Sequence, residues 1–177
     1  MRKIHSIVIH HSAGSRKMDV ATLDRMHRAR GFNEIGYHAV ITQAGGEWHL
    51  EPGRDIDKIG AHAGGRGDFP GNYGSIGICI AGNYVDFMPT YEPINILYKQ
   101  CREWFEEFGQ LGIWGHCDLN ATKCPGQLYY AIPPLRVDLS DPKEPTDLRD
   151  RFYIVRDWAE DEKAAKEFFR QNRPGVA

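Results

Sequence analysis

Four side chains in this sequence carry the chemistry of metal ligation. His10 and His11 end the apolar run Ile7-Val8-Ile9 in IVIHHSAG, and His116 and Cys124 stand eight positions apart in GHCDLNATKCPG. Imidazole and thiolate together suit a borderline-soft ion, zinc before any other. The stretch between His116 and Cys124 holds the turn formers Asp118 and Asn120, and Pro125-Gly126 follows the cysteine. A loop of that length can return both ends to one point. A third ligand from a separate strand gives three protein ligands and one open position, the arrangement of catalytic rather than structural zinc. Side chains alternate along a strand, so His10 and His11 point to opposite faces and only one can join such a site. Spacing alone does not choose between them. Cys117 points away if His116 and Cys124 converge.

These residues need elements to hold them. Residues 4–10 read as a strand. DVATLDRMHRARGF reads as a helix capped by Asp19 or Thr22 and stopped by Gly31, with Leu23, Met26, His27 and Arg30 inward. GYHAVITQAGGEWHLE reads as a hairpin turning at Gly45-Gly46. Residues 60–75 are glycine-rich and read as a long functional loop. SIGICIAGNY is apolar on both faces, which places it centrally in a sheet. From Thr90 the apolar residues Ile94, Leu97, Cys101, Trp104 or Phe105, and Phe108 share one helical face, with Pro93 in the first turn. Gly109 and Gly112 end that helix, and LGIW is a short strand leading into GHCDLNATKCPG. Beyond Pro133-Pro134 the chain turns polar, then Leu148, Phe152, Val155, Ala159, Ala165 and Phe168-Phe169 recur at helical spacing. The reading is an α/β fold with a catalytic domain over 1–134 and a helical extension over 135–177 that docks on the same domain.

Bulk properties narrow the function. The 177 residues suffice for one domain with a core, and 41% hydrophobic with 26% charged residues is the ordinary globular range. A formal net charge of -2 carries no basic excess for nucleic acid or an anionic membrane. No apolar run is long enough to span a bilayer. MRKIHSIVIHH has no secretory apolar region or cleavage site, so synthesis in the cytoplasm without a signal peptide is expected. Of the four cysteines, Cys79 and Cys101 read as small buried apolar residues, and no disulfide framework is expected.

The stretches IVIHHSAG, IGYHAVI, GAHAGG, GNYGSIGICIAGNY and GHCDLNATKCPG occur in an order that resembles the zinc-dependent N-acetylmuramoyl-L-alanine amidases of the phage-lysozyme and peptidoglycan-recognition-protein superfamily. The resemblance covers residues from about 4 to 132. It implies a central mixed β-sheet flanked by helices with a zinc cleft at the strand ends. It selects His10, the first histidine of the doublet, and with it His116 and Cys124 as metal ligands. It gives Tyr37 of GYH a place facing the metal. Two positions before the ligand cysteine, phage lysozymes carry lysine and recognition-type amidases often threonine. Here the residue is Thr122, with Lys123 one position later, so the chain departs from the phage pattern there. His62 in the glycine-rich loop corresponds to a substrate-cleft position, and Asn72 is a candidate peptide contact.

The resemblance implies hydrolysis of the amide between N-acetylmuramic acid and L-alanine, with Zn2+ as cofactor. A zinc ion lowers the pKa of a bound water from about 15.7 towards 7 and polarises the carbonyl. Tyr37 then suits donation to the developing oxyanion, and Thr122 suits support of the same oxygen or of the water. No Glu or Asp in these motifs is placed as a general base. His38 alternates away from Tyr37 and is expected to pack or to act behind the site. His5, His27 and His49 are read as structural or solvated. The expected partner is peptidoglycan or a muropeptide, met by a monomer with no nucleic acid and no membrane span. An endolysin acting on the cell wall after release is the reading. A cytoplasmic muropeptide-recycling amidase and a non-catalytic peptidoglycan-binding module are the alternatives.

Overall fold

The computed structural model describes residues 2–64, 71–133 and 135–136. A five-stranded sheet carries the fold, with strands β1 (Ser6–His11), β2 (Ala39–Thr42), β3 (His49–Pro52), β4 (Ser75–Ile80) and β5 (Gly112–Gly115). Their spatial order is β3-β2-β4-β1-β5. Strand β1 runs parallel to β4 and β5, and β2 runs parallel to β4; β3 closes one edge antiparallel to β2. β4 is central and buried along its whole length, as its apolar run requires.

The sheet has two chemically distinct faces, set by alternation along each strand. Ile7, Ile9, Ile76, Ile78, Ile80, Ala39 and Ile41 belong to the larger core, which α2 (Tyr91–Phe108) joins through Ile94, Leu97, Tyr98, Cys101 and Trp104. On the other face Val40 clusters with Leu23 of α1 (Val20–Ala29) and with Ile35, and Tyr37 packs against that cluster. His10 is level with Cys79 and Val8 with Gly77, so paired residues place His10, Cys79, Val8 and Gly77 on this second face.

Local chemistry explains the element ends. Asp19 caps α1, its carboxylate accepting from Thr22 N–H at 2.7 Å. The helix stops before Gly31, and Arg30 is exposed rather than inward. α2 follows Thr90 and ends at Gly109, whose φ is +82°. Gly112, expected to help stop that helix, instead opens β5. β1 runs through His11 rather than stopping at residue 10. Trp104, not Phe105, is the fully packed aromatic of α2. The GHCDLN stretch is not all loop: α3 (His116–Leu119) makes one helical turn directly after β5. Asp118 stabilises that turn by accepting from Gly115 N–H at 2.9 Å and from the Tyr129 hydroxyl at 2.9 Å.

Cysteines 79 and 101 are buried free thiols, as their settings suggest. Within the described residues, the C-terminal extension is represented by Leu135, fully buried in the larger core, and Arg136, which donates to the Ile113 carbonyl at 2.9 Å and lies over the Trp114 ring. The helices expected further along 135–177 lie outside the described residues, as do positions 65–70 of the glycine-rich loop. No helix among the described residues is long and apolar enough to cross a membrane.

Candidate metal centre

The parallel strands β1 and β5 end side by side, so His10, near the end of β1, and His116, directly after β5, are brought together at the carboxyl edge of the sheet. Their ring centroids are 4.6 Å apart. Open α/β sheets place their sites at this edge because the strand ends present side chains from several chain segments to one point. Cys124 arrives from the following loop. Gly126 anchors that loop: its φ is +69°, and a Cβ there would lie 2.1 Å from the Tyr84 carbonyl, so the backbone approach requires glycine. Gln127 N–H donates to the same carbonyl at 2.6 Å.

His10, His116 and Cys124 are the one group of three metal-capable side chains found among the described residues, with ligand atoms all within 4.8 Å of one another. Cys124 Sγ lies 3.7 Å from His10 Nδ1. Two ligands on a tetrahedral zinc, one sulfur and one nitrogen, are separated by about 3.6 Å at the usual bond lengths. That pair therefore fits zinc, and the two-nitrogen, one-sulfur donor set is zinc's chemistry. Among the described residues, no fourth metal-capable side chain is grouped with them. Cys117 is exposed and outside the cluster.

The surroundings tune each ligand. Burial, with the neighbouring histidines His62 and His116, drives the His10 pKa well below 6.5, so the ring is neutral as a ligand must be. Burial lowers His116 in the same direction. Burial pushes the Cys124 thiol up to about 12, while the His11 backbone N–H, 3.3 Å from Sγ, works the other way by donating to the sulfur. His11 lies outside the cluster. Its ring faces the opposite side and Nδ1 accepts from Tyr84 N–H at 3.0 Å.

The remaining residues singled out from the sequence fall around this cluster. The Tyr37 ring stands 5.1 Å from that of His10 and 5.2 Å from that of His27. Its hydroxyl is driven well above pKa 10 by burial and by the thiols of Cys79 and Cys124, which keeps it protonated and a donor. Thr122 is exposed on the Cys124 loop, and its Oγ1 accepts from Cys124 N–H at 3.2 Å. His62 is buried behind His10, its Nδ1 3.0 Å from His10 Nε2. Asn72 Oδ1 accepts from the backbone N–H groups of His62 and Ala63, both at 2.8 Å, so this amide shapes the loop that carries His62. His38 is buried, as expected for a packing residue. His27 packs behind Tyr37 and its Nδ1 accepts from Gly36 N–H at 2.8 Å. His5 and His49 stay towards solvent.

Three residues named from the sequence have partners that it did not assign. Asn120 donates to the Ala63 carbonyl at 2.6 Å and ties the metal loop to the glycine-rich loop. Asp118 holds the turn under His116, a role signalled by an acid three residues after a strand end. Cys79, level with His10 on β4, interacts with the Tyr37 hydroxyl, and no local pattern announces that.

Residues 1–127 match the family model described as N-acetylmuramoyl-L-alanine amidase. The chain belongs to that amidase family. Among its relatives is peptidoglycan-recognition protein SD of Drosophila melanogaster, 30% identical over 138 residues, covering 72% of this chain and 69% of that one. The endolysin of Enterobacteria phage K11 is 28% identical over 126 residues, covering 66% of this chain and 77% of that one. Among solved structures, the N-acetylmuramoyl-L-alanine amidase LysC from Clostridium intestinale URNW superposes with a TM-score of 0.67 at 25% identity, covering 78% of this chain and 87% of that one. The mixed sheet with flanking helices is thus the amidase-family fold, and the His10, His116 and Cys124 cluster lies within the family-matched residues.

Proposed function

We propose that this protein is a zinc-dependent amidase that cleaves the bond between N-acetylmuramic acid and the L-alanine of the stem peptide in peptidoglycan. The observation that carries this reading is the three-membered cluster, two neutral imidazoles and a thiol, with no fourth metal-capable side chain grouped with it among the described residues. A structural zinc site would be closed by a fourth side chain. Retention of both Cys124 and Tyr37 favours catalysis over recognition alone. The relatives named endolysin and the solved amidase are consistent with a wall-degrading role. We read the protein as an endolysin of phage or prophage type.

His10 Nδ1, His116 and Cys124 would hold a zinc ion, which would supply Lewis acidity towards an amide carbonyl and activation of water near neutral pH. The chain supplies the rest. Tyr37 keeps its proton and donates a hydrogen bond to the carbonyl oxygen as charge gathers there. Thr122, exposed beside Cys124, offers its hydroxyl proton to the same region while Oγ1 accepts from the Cys124 backbone. The His11 N–H holds the ligand sulfur by donating to it. Tyr37 and Thr122 are the groups of the chain that we assign to handling charge and protons at the reacting atoms.

Elemental analysis tests the ligand set. The wild-type protein is expected to carry one zinc per chain and Cys124→Ala to lose it, together with hydrolysis of purified peptidoglycan. Full metal stoichiometry retained in Cys124→Ala would overturn the assignment.

A further inference from the structure

We propose that His62 is a positioning residue for the metal centre: it fixes the tautomer and the ring orientation of His10 rather than contacting substrate. The inference rests on the reading of His10 as a zinc ligand and assigns a different role to His62 from the substrate contact that the family resemblance implied.

The geometry leaves His10 one way to ligate. Its Nδ1 faces Cys124 Sγ at 3.7 Å, and its Nε2 is occupied by His62 Nδ1 at 3.0 Å. Ligation through Nδ1 needs that nitrogen's lone pair, so the single ring proton of neutral His10 resides on Nε2. Nε2–H then donates to His62 Nδ1, and His62 carries its own proton on Nε2. The latter atom is buried with no hydrogen-bond partner among the described residues. Ligand histidines in metal sites generally donate their second N–H to a fixed acceptor, which sets ring orientation and basicity. Here that acceptor is an imidazole.

The surrounding sequence is built to seat this one ring. Gly60 and Gly77 flank it: a Cβ on either would come within 2.5 Å of His62 Cδ2. Gly77 sits inside the central strand β4, paired with Val8, where a glycine costs stability unless another group must approach closely. The approaching group is His62. Asn72 clamps the His62 and Ala63 backbone from one side, and Asn120 holds the Ala63 carbonyl from the metal loop. Two glycines and two asparagines from three separate segments therefore converge on a residue that is itself 8% exposed. Such burial leaves little surface for a glycan or peptide.

The test is zinc affinity, measured on the full chain by competition with a chromophoric chelator, for wild type, His62→Leu and His62→Asn. Leucine fills space without an acceptor. Asparagine Oδ1 can take the place of Nδ1. His62→Leu is expected to weaken zinc binding by roughly 10–100-fold, and His62→Asn to recover most of the loss. Long-range proton–nitrogen NMR of zinc-loaded wild type is expected to show His10 as the Nε2–H tautomer with a proton protected from solvent exchange. That measurement needs no variant to fold. Unchanged zinc affinity in His62→Leu with a raised KM would overturn the proposal in favour of a substrate contact. Equal losses in both variants would overturn it in favour of packing, and an Nδ1–H tautomer in wild type would overturn it directly. If wild type binds no zinc at all, the amidase reading falls and this proposal with it, so the two failures are distinguishable.

Discussion

His10 and His11 are neighbours with the same side chain, and the sheet gives them unrelated work. His10 looks towards His116 and Cys124, whereas the His11 ring accepts a backbone N–H from Tyr84 on the other face and His11 meets the Cys124 sulfur only through its backbone. Tyr37 is the next residue in the proposed chemistry. Its hydroxyl, kept protonated by burial, has its greatest value when charge develops on oxygen, and one such donor is worth about 3 kcal/mol. Tyr37→Phe is therefore expected to lower the turnover number about 100-fold with zinc content and KM unchanged. Equal turnover in steady-state assays would reduce Tyr37 to a packing residue. At this scale the sequence was legible where residue type is itself chemistry: two histidine-bearing strand ends and one cysteine point to side chains that the fold brings within 4.8 Å of one another. The choice between His10 and His11 was not legible from alternation, which says that they differ but not which face meets the loop. The pairings of His62 with His10 and of Cys79 with Tyr37 were not legible either, because each joins segments far apart in the chain.

At the scale of elements, the apolar run of β4, the capped α1 and the amphipathic α2 were readable because each pattern is local. Errors clustered where local signals compete. Gly112 looks like a helix stop but takes an extended place beside His5, whose carbonyl accepts its N–H at 2.9 Å. The α3 turn depends on Asp118 reaching back to Gly115, a contact that loop composition conceals. His38 shows how one side chain fastens two elements. Its Nδ1 accepts from Gly77 N–H of β4 at 2.9 Å, so its proton is on Nε2, which donates to the Lys58 carbonyl at 3.1 Å. Burial lowers its pKa to about 4, and the nearby Arg2 guanidinium adds to the shift. The unfolded chain binds this proton near pH 6.5 and the folded chain only near pH 4. Stability is then fully present above about pH 6.5 and declines as pH falls towards about 4, by at most about 3 kcal/mol for this one group. Urea unfolding of zinc-free protein across that window is expected to show a shallower pH dependence for His38→Asn, which keeps an acceptor for Gly77. The same slope in both proteins would remove His38 as the cause.

For the whole molecule, Leu135 opens the segment expected to form a C-terminal extension. This residue is fully buried in the core that α2 and β4 share, so we propose that the extension belongs to the same folding unit. Leu135→Ala leaves a cavity and is expected to cost about 2–5 kcal/mol in denaturant unfolding, against under 0.5 kcal/mol for a neutral surface change. A negligible cost would make the extension separable. The fold was legible at this scale because strands alternating with helices leave few ways to cover both faces of a mostly parallel sheet. The site followed from it, since the carboxyl edge is where β1 and β5 deliver His10 and His116 together. We propose that this edge hydrolyses the bond between muramic acid and L-alanine. Mass analysis of the products released from intact sacculi by zinc-loaded protein tests it most directly. The expected products are free stem peptides with an L-alanine amino terminus and glycan strands whose muramic acid carboxylates are bare. Products cut within the peptide or within the glycan, or intact sacculi bound without release, would contradict it.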